Sequence, residues 1–348
     1  MRLRNVRSYG TLDLGFEAGL VLVTGRNGTG KTNLVEAIHV ATQGFSFRTR
    51  MDSQLIRTGE TEAYDRVEGS RGGVPFTAEA RLSLRAPKKL SLNGAAVAST
   101  EELRHRLHVL VFTPDRLGVA KGGPAVRRAY FDRVLARVLP ARADAPTAYG
   151  AALGQRNAAL RRVAAGVSPR DVVEPWTETL VACAETLVAA RAEAIRIIAP
   201  AFAACAGELG LPEATIRYDA EPPTTVELSA RLERDLERGS TGLGPHLDEL
   251  LLLSGDRDLR AFGSQGEQRL TVLSLLLAEA EVLTDFGGVP PLLLLDDALS
   301  ELDADRRRIL SARLGRVGQA IVTAAGAEAL PLAPAQLFDV VPGTVTVR

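Results

Sequence analysis

The hydrophobic and polar positions divide the chain into three sections with different periodicities. In the first section, strict alternation from Pro75 to Arg85 predicts a half-buried strand. Lys89 to Leu92 continues this pattern, and Asn93-Gly94 is a hairpin turn signal. Val109 to Phe112 predicts a further buried strand. An antiparallel sheet is therefore expected in the first section.

The second section has a helical pattern and is rich in Ala, Arg and Leu from Pro124 to about Gly207. Residues 148–165 and 176–209 predict helices that are long for a globular protein. A short strand at 215–218 and a charged helix at 226–238 follow. The section has no sustained heptads, so we expect a packed helical insertion rather than a long coiled coil.

The third section returns to mixed α/β. Leu270 to Leu283 is almost wholly apolar and predicts a buried helix. Leu292 to Leu295 predicts a buried parallel strand that ends in Asp296-Asp297, and Ala320 to Thr323 predicts another apolar strand.

One stretch near the start matches the P-loop pattern G-x-x-x-x-G-K-[ST]: Gly25-Arg26-Asn27-Gly28-Thr29-Gly30-Lys31-Thr32. An apolar strand precedes it and a helical pattern follows, as the motif requires. The glycines let backbone N–H groups surround phosphate oxygens, and the helix N-terminus adds partial positive charge. Lys31 can reach the β- and γ-phosphates, and Thr32 can place its hydroxyl on Mg²⁺. These eight residues therefore predict a nucleoside-triphosphate site.

Two carboxylates at the end of a buried strand complete this chemistry. Asp296 ends its strand where Mg²⁺ would sit, so it can hold the metal directly or through water. Asp297 can orient or deprotonate the attacking water. Paired aspartates after a strand are often caps or turn residues, but the P-loop upstream favours the functional interpretation. Lys31 and Asp297 are the predicted catalytic residues, and Thr32 and Asp296 the predicted metal ligands.

Ser264 and Gly266, in a loop that opens into the apolar helix, resemble the signature motif of ABC-type ATPases. The serine hydroxyl, the glycine N–H and the helix N-terminus would form a second phosphate cradle. In that family the signature of one subunit meets nucleotide held by another. ATP would then favour a dimer, and hydrolysis would release it. The alternative is a plain helix N-cap at Ser264.

Composition changes this picture little. Lys+Arg and Asp+Glu balance at 42 each, so no global field argues for or against nucleic acid. Cys183 and Cys205 lie in apolar helical stretches without C-x-x-C spacing, which indicates buried free thiols in a reducing compartment. No apolar run is long enough for a membrane span, and the start does not fit a signal peptide. A cytoplasmic protein without membrane contact is expected.

The order of these motifs resembles the RecF family, bacterial recombination-mediator ATPases of the SMC-like branch of the ABC superfamily. Further segments carry the resemblance along the whole chain: Asn5-Val6-Arg7-Ser8-Tyr9, Phe45-Ser46-Phe47-Arg48, Gly122-Gly123-Pro124, Arg127-Arg128-Ala129-Tyr130-Phe131-Asp132, Gln155-Arg156-Asn157, Gly244-Pro245-His246 and Ser300-Glu301-Leu302-Asp303.

The resemblance implies an α/β fold: a P-loop ABC-type ATPase head with a mixed parallel sheet, helices and an antiparallel β-subdomain. A mainly helical arm is inserted between its halves. We expect the N-terminal half of the head at residues 1–113, the arm at 114–243 and the C-terminal half at 244–348.

The resemblance also implies a function in DNA repair, replication and recombination. ATP and Mg²⁺ would be the cofactors, and ATP would drive homodimerisation on DNA at single-strand gaps. RecR, and with it RecO and RecA, would be the protein partners. Weak, DNA-stimulated ATP hydrolysis would reset the protein.

Some residues depart from the ABC pattern. The signature has Gly263, Gln265 and Glu267 in place of the usual residues, and Asp297 replaces the glutamate common in ABC heads. Thr323 stands where a switch histidine is expected, and no Q-loop glutamine can be identified. Slow hydrolysis is therefore the expectation.

DNA contacts would come from basic side chains near the P-loop helix and on the antiparallel sheet: Arg48, Arg50, Arg81, Lys88 and Lys89. An ordinary charged strand face explains these residues equally well. Phosphate contacts would make binding steeply salt-dependent and nearly independent of sequence, on gapped, single-stranded or double-stranded DNA.

Three other classes of protein share parts of this pattern. The nucleotide-binding subunit of an ABC-type membrane transporter needs a Q-loop and a switch histidine, and neither is recognised here. A long-armed SMC-like tether needs far more heptad sequence. A P-loop kinase or switch would not need the signature or the turn from Ser300 to Asp303.

Overall fold

The computed structural model of the protein describes residues 1–348. It contains fifteen strands: β1 (Arg2–Val6), β2 (Tyr9–Asp13), β3 (Leu20–Thr24), β4 (Glu62–Arg71), β5 (Val74–Ser83), β6 (Lys89–Leu92), β7 (Ala95–Ala96), β8 (Val109–Phe112), β9 (Ala214–Arg217), β10 (Leu251–Ser254), β11 (Arg257–Asp258), β12 (Leu292–Leu295), β13 (Ala320–Ala324), β14 (Gln336–Val341) and β15 (Thr344–Val347).

Eleven α-helices accompany the strands: α1 (Lys31–Gln43), α2 (Thr100–Arg106), α3 (Gly118–Lys121), α4 (Pro124–Val138), α5 (Ala145–Ala164), α6 (Glu174–Glu208), α7 (Thr225–Ala230), α8 (Leu232–Arg238), α9 (Leu259–Phe262), α10 (Gln265–Gly287) and α11 (Ala304–Leu314). None of them combines the length and the apolar character that a membrane-spanning helix requires.

The strand that precedes the P-loop lies inside a six-stranded sheet with the order β15-β14-β3-β13-β12-β8. The pairs from β14 across to β8 are parallel, and only β15 joins antiparallel. Every residue of β3 and β13 is buried, as expected for parallel strands covered on both faces. Because these strands run in one direction, the residues that follow β3, β12 and β13 emerge at the same edge of the sheet.

A second sheet is antiparallel, with the order β2-β1-β4-β5-β6-β7. Its longest strands, β4 and β5, have ten residues each and pair along their whole length. Ala78, Ala80 and Leu82 are buried and alternate with more exposed residues, so the predicted half-buried strand is confirmed. Residues of α1 pack in one core cluster with residues of both sheets.

The chain forms two compact units, which we call the sheet unit (residues 1–116, 208–210 and 272–348) and the helical unit (residues 117–207 and 211–271). In the helical unit, β10 pairs with both β9 and β11. This small sheet ties residues 251–258 to the helices, which composition alone did not indicate. The predicted domain boundaries at 113/114 and 243/244 followed composition, and they stay a prediction.

The helical unit contains the long helices that the pattern predicts. α5 has 20 residues and α6 has 35, with Pro200 inside α6 at an exposed position. The charged helix predicted at 226–238 is two short helices, α7 and α8, which meet at Arg231. Cys205 is buried and Cys183 half-buried, and neither forms a disulfide.

A buried ion pair joins three helices of this unit. Arg156 on α5 and Asp235 on α8 lie 2.8 Å apart, and each side chain is 1% exposed. The guanidinium also donates to the hydroxyls of Thr177 on α6 and of Thr241, while the second Asp235 oxygen accepts the N–H of Gly242. These hydrogen bonds offset the cost of taking both charges out of water.

Replacing Asp235 by Ala should therefore destabilise the protein strongly, because the Arg156 charge stays buried without its partner. We expect the free energy of unfolding to fall by about 3–5 kcal/mol in urea unfolding followed by circular dichroism. The exposed pair Arg170–Glu233 provides the control, since both side chains are more than half exposed. Glu233→Ala should cost less than about 1 kcal/mol, and equal losses in the two variants would contradict the argument.

Candidate nucleotide-binding site

The P-loop connects the end of β3 to the start of α1 and is shaped by glycine. Gly30 is the N-cap of α1 with a φ of 117°, a conformation that residues with side chains rarely adopt. A Cβ at this position would come within 2.9 Å of the Ser8 hydroxyl oxygen. The Tyr9 hydroxyl donates to the carbonyl of Gly30 at 3.0 Å and holds the loop from the antiparallel sheet. The local geometry is that of a loop open to phosphate oxygens.

Lys31, the first residue of α1, folds back over the loop. Its ammonium group donates to the carbonyls of Gly25 at 2.6 Å and Arg26 at 3.1 Å. Burial lowers the pKa of Lys31, and the carboxylates of Asp296 and Asp297 oppose this shift. An anionic ligand in the loop would give this cation a stronger partner than backbone carbonyls provide.

Thr32 and Asp296 are 264 residues apart in sequence but lie in contact. The Thr32 hydroxyl is 3.0 Å from Oδ1 and 2.9 Å from Oδ2 of Asp296. The two meet because β13 pairs with β3 on one side and β12 on the other, all parallel. Burial raises the pKa of Asp296, while hydrogen bonds from Thr323 and Thr32 act in the opposite direction. A hydroxyl and a carboxylate are hard oxygen ligands, so this pair fits Mg²⁺.

Thr323, at the end of β13, has a role that the sequence did not reveal. Its hydroxyl donates to Oδ1 of Asp296 at 2.8 Å and accepts the backbone N–H of Asp297 at 3.0 Å. Asp297 has a φ of 52°, in the left-handed region. Its carboxylate accepts a hydrogen bond from Ser300 at 3.0 Å. Thr323 therefore fixes both aspartates, whereas the sequence indicated only that it stands where a switch histidine is expected.

These groups line one open cleft of about 490 Å³, within the size range of small-ligand sites. The lining comprises Asn27, Gly28, Gly30, Lys31, Thr32, Asn33, Arg48, Pro114, Asp296, Asp297 and Thr323. The structure thus brings together five of the predicted P-loop residues and both predicted carboxylates. Gly25, Arg26 and Thr29 line a separate cleft of about 440 Å³. Arg48, which the sequence suggested for DNA contact, lies in this cleft. Pro114, just after β8, has no side-chain donor or acceptor to offer a ligand there.

Ser264 and Gly266 lie at the start of α10 in the helical unit. The Ser264 hydroxyl accepts the backbone N–H of Glu267 at 3.2 Å, and the Glu267 carboxylate accepts the N–H of Ser264 at 2.7 Å. This reciprocal pair is a capping box, and it lowers the pKa of Glu267. The local geometry at Ser264 is therefore that of a helix N-cap, which was the alternative to a signature motif. The capping hydroxyl still carries a proton that it can donate to an oxyanion.

The other basic residues predicted for DNA contact have different environments. Arg81 and Lys89 are exposed and, together with Arg4, line a second cleft of about 650 Å³ on the antiparallel sheet. The Arg81 guanidinium lies 5.3 Å from the centre of the Tyr64 ring. Lys88, in contrast, forms an ion pair with Asp52 at 3.0 Å.

Arg50, the last of these residues, is exposed. The predicted set therefore divides into exposed cations on or near the antiparallel sheet, one half-buried cation and one cation in the P-loop cleft. Three of the five have an acidic partner: Arg81 lies 3.9 Å from Glu79, Lys88 pairs with Asp52, and Arg48 with Glu36.

Sequence comparison identifies the family. A family model described as "RecF/RecN/SMC N terminal domain" matches residues 1–344. The DNA replication and repair protein RecF of Symbiobacterium thermophilum is 34% identical over 365 residues, covering 99% of this chain and 96% of that protein. The same protein of Heliobacterium modesticaldum is 33% identical over 329 residues, with 90% and 88% covered. The chain belongs to the RecF family.

Solved structures agree with this membership in the RecF family. A structure of the recombination mediator protein RecF with ATP, in the RecFOR pathway, matches with a TM-score of 0.87 and 26% identity, covering 100% of this chain and 96% of that one. An Smc head bound to the C-winged helix domain of ScpA matches with a TM-score of 0.61 and 17% identity, which shows the fold alone. The predicted α/β ATPase-head fold and the predicted RecF resemblance are confirmed.

Lys31→Met should weaken nucleotide binding, because it removes the cation from the loop while keeping a side chain of similar length. The loss of a charged hydrogen-bond donor predicts at least about 10-fold weaker binding of ATP with Mg²⁺, measured by isothermal titration calorimetry. Lys121→Met, at an exposed lysine of the helical unit, is the matched control and should bind like the parent protein. Equal affinities of Lys31→Met and the parent would contradict the assignment of the site.

Proposed function

We propose that this chain is an ATP-dependent DNA-binding protein of recombinational DNA repair and replication. The observation that carries the proposal is the contact of Thr32 with Asp296 beside Lys31, in a cleft of nucleotide size. The relatives are named for DNA replication and repair, and a similar solved structure is a RecF with ATP. ATP and Mg²⁺ are the proposed cofactors.

The residues of the cleft suggest a division of roles. Lys31 and the loop N–H groups would bind the phosphates. Thr32 and Asp296 would hold Mg²⁺, which supplies charge neutralisation at the phosphate oxygens when bound. Asp297 would orient the attacking water and accept its proton, with its backbone held by Thr323. Aspartate is shorter than the glutamate common in ABC heads, which supports slow hydrolysis. In this proposal hydrolysis resets the protein and is stimulated by DNA.

ATP would act by joining two copies of the chain. The exposed Ser264 hydroxyl and the start of α10 form an anion-binding group. Supplied by a second copy, this group would contact the phosphates held at Lys31. Nucleotide then favours the dimer through contacts that exist only there, and loss of the γ-phosphate releases it.

Ser264→Arg should abolish ATP-dependent self-association, because a long cationic side chain fills the proposed phosphate cradle. Size-exclusion chromatography with light scattering, with and without ATP, measures this directly. Ser229→Arg, at an exposed serine on α7, is the control and should dimerise normally. A dimer of Ser264→Arg that forms with ATP as in the parent protein would overturn the role of the signature.

DNA binding is proposed for the exposed cations of the antiparallel sheet. Arg81, Lys89 and Arg4 line one cleft there, and the Tyr64 ring adds an aromatic surface. Such a site favours backbone phosphates over base edges, so gapped, single-stranded and double-stranded DNA would all bind without sequence preference. Arg50 is exposed and can add to this surface. Lys88 is a weaker candidate because it is half-buried beside Asp52, and Arg48 because it lies in the P-loop cleft beside the buried Glu36.

Arg81→Glu combined with Lys89→Glu should weaken DNA binding and reduce its salt dependence. Loss of two phosphate contacts lowers the slope of log affinity against log salt by about 1.4 to 1.8. Fluorescence anisotropy on gapped DNA at several salt concentrations, with ATP present, provides the measurement. Arg162→Glu combined with Arg196→Glu, at exposed arginines on α5 and α6, makes the same change in net charge and is the control. An unchanged slope in the double variant would exclude this surface.

The proposed protein partners are RecR, together with RecO and RecA, at single-strand gaps. The support is the similar solved structure, described as a recombination mediator of the RecFOR pathway. The alternative function, an ATPase subunit of a membrane transporter, is favoured by no observation: the curated relatives are named for DNA replication and repair.

A further inference from the structure

Glu36 is a buried carboxylate one turn beyond the P-loop residues of α1, and it takes no direct part in the proposed chemistry. Its side chain is 1% exposed. Arg7, in the turn between β1 and β2, donates to it twice, from Nη2 to Oε1 and from Nε to Oε2, both at 2.8 Å. The Ser46 hydroxyl donates to Oε1. Arg48 makes the longest of these contacts, 3.4 Å from Nη1 to Oε2.

Ser46 connects this carboxylate to the backbone that carries Arg48. Because its proton is donated to Glu36, the Ser46 oxygen presents its lone pairs to the chain that follows. It accepts the backbone N–H of Arg48 at 2.9 Å and of Thr49 at 3.1 Å. The orientation of the hydroxyl, and with it the turn at residues 46–49, thus depends on Glu36.

The far end of the same segment is held by Arg7. Its Nη1 donates to the carbonyl of Gln54 at 2.7 Å. The Gln54 side chain accepts the Thr49 hydroxyl at 2.6 Å. Arg7 and Glu36 therefore fix residues 46–54 from both sides, and Arg48 is presented from a rigid turn.

Arg48 itself is the most exposed member of the group. Its side chain is 41% exposed and lines the P-loop cleft, where Nη1 donates to Asn33 at 3.0 Å. Without Arg48, Glu36 still has the two hydrogen bonds from Arg7 and one from Ser46. Turning the guanidinium toward phosphate oxygens therefore leaves no buried charge without a partner. Arg48 is the only arginine among the residues that line the cleft.

We propose that Glu36, Arg7 and Ser46 are positioning residues that present Arg48 to the phosphate groups of bound nucleotide. This inference rests on the proposed nucleotide site but assigns residues outside it. The Ser46 hydroxyl is the link between the buried carboxylate and the turn, so its removal should affect nucleotide binding only through Arg48.

A double-mutant cycle tests this dependence. Ser46→Ala and Arg48→Ala should each weaken binding of a non-hydrolysable ATP analogue, Arg48→Ala by about 10-fold and Ser46→Ala by several-fold. The double variant should bind no more weakly than Arg48→Ala alone, because residues that act through one another are not additive. Ser46→Thr keeps the hydroxyl and should restore the parent affinity. A purely structural role of Ser46 would instead give the same loss in both backgrounds.

The other outcomes separate two kinds of failure. If Lys31→Met binds ATP like the parent, the nucleotide site itself is wrong. If Lys31→Met loses binding but Arg48→Ala or Ser46→Ala does not, or if their effects add, only the positioning proposal is overturned. Should Ser46→Ala lower the melting temperature, the cycle is run with Arg7→Lys, which keeps a cation beside Glu36 but loses the contact with Gln54. The same lack of additivity with Arg48→Ala is expected.

Discussion

The contact between the Thr32 hydroxyl and the Asp296 carboxylate is the constraint on which the nucleotide site depends. It requires β3 and β12 to flank β13 in one parallel sheet, so that three strand ends meet at one edge. Such a sheet has little freedom in register, because every residue of β3 and β13 is buried and a shift would repack closely packed side chains on both faces. The apolar packing of the strands therefore sets the position of the catalytic groups.

Much of this site could be predicted from sequence, because its parts are local. The P-loop needs only a strand, three glycines and a helix in succession, and Asp296-Asp297 follow directly from an apolar run. Thr323 and Glu36 could not be found in this way. Their importance comes from partners 27 and 10 residues distant, at Asp296 and Ser46, which only the folded chain brings into contact.

Charge was the least informative signal. Arg48, Lys88 and Lys89 look alike as basic residues near strands, yet one lines the P-loop cleft, one is paired with Asp52 and one is exposed. The extent of the helical unit was also hidden, because β9 and β10 are short and 33 residues separate Arg217 from Leu251. Local composition carries no information about such pairing.

The P-loop strand pairs with strands that are distant in sequence, and this has a consequence for synthesis on the ribosome. β3 lies between β13 and β14, both of which are made roughly 300 residues later. The helical unit is nearly continuous in sequence and can close its own core while it emerges. The P-loop strand, by contrast, has no neighbour in its sheet until residue 320 has left the exit tunnel. A nascent chain that has not yet exposed β13 and β14 therefore has no assembled nucleotide site, and its apolar Leu20–Thr24 segment has no strand partner in its sheet.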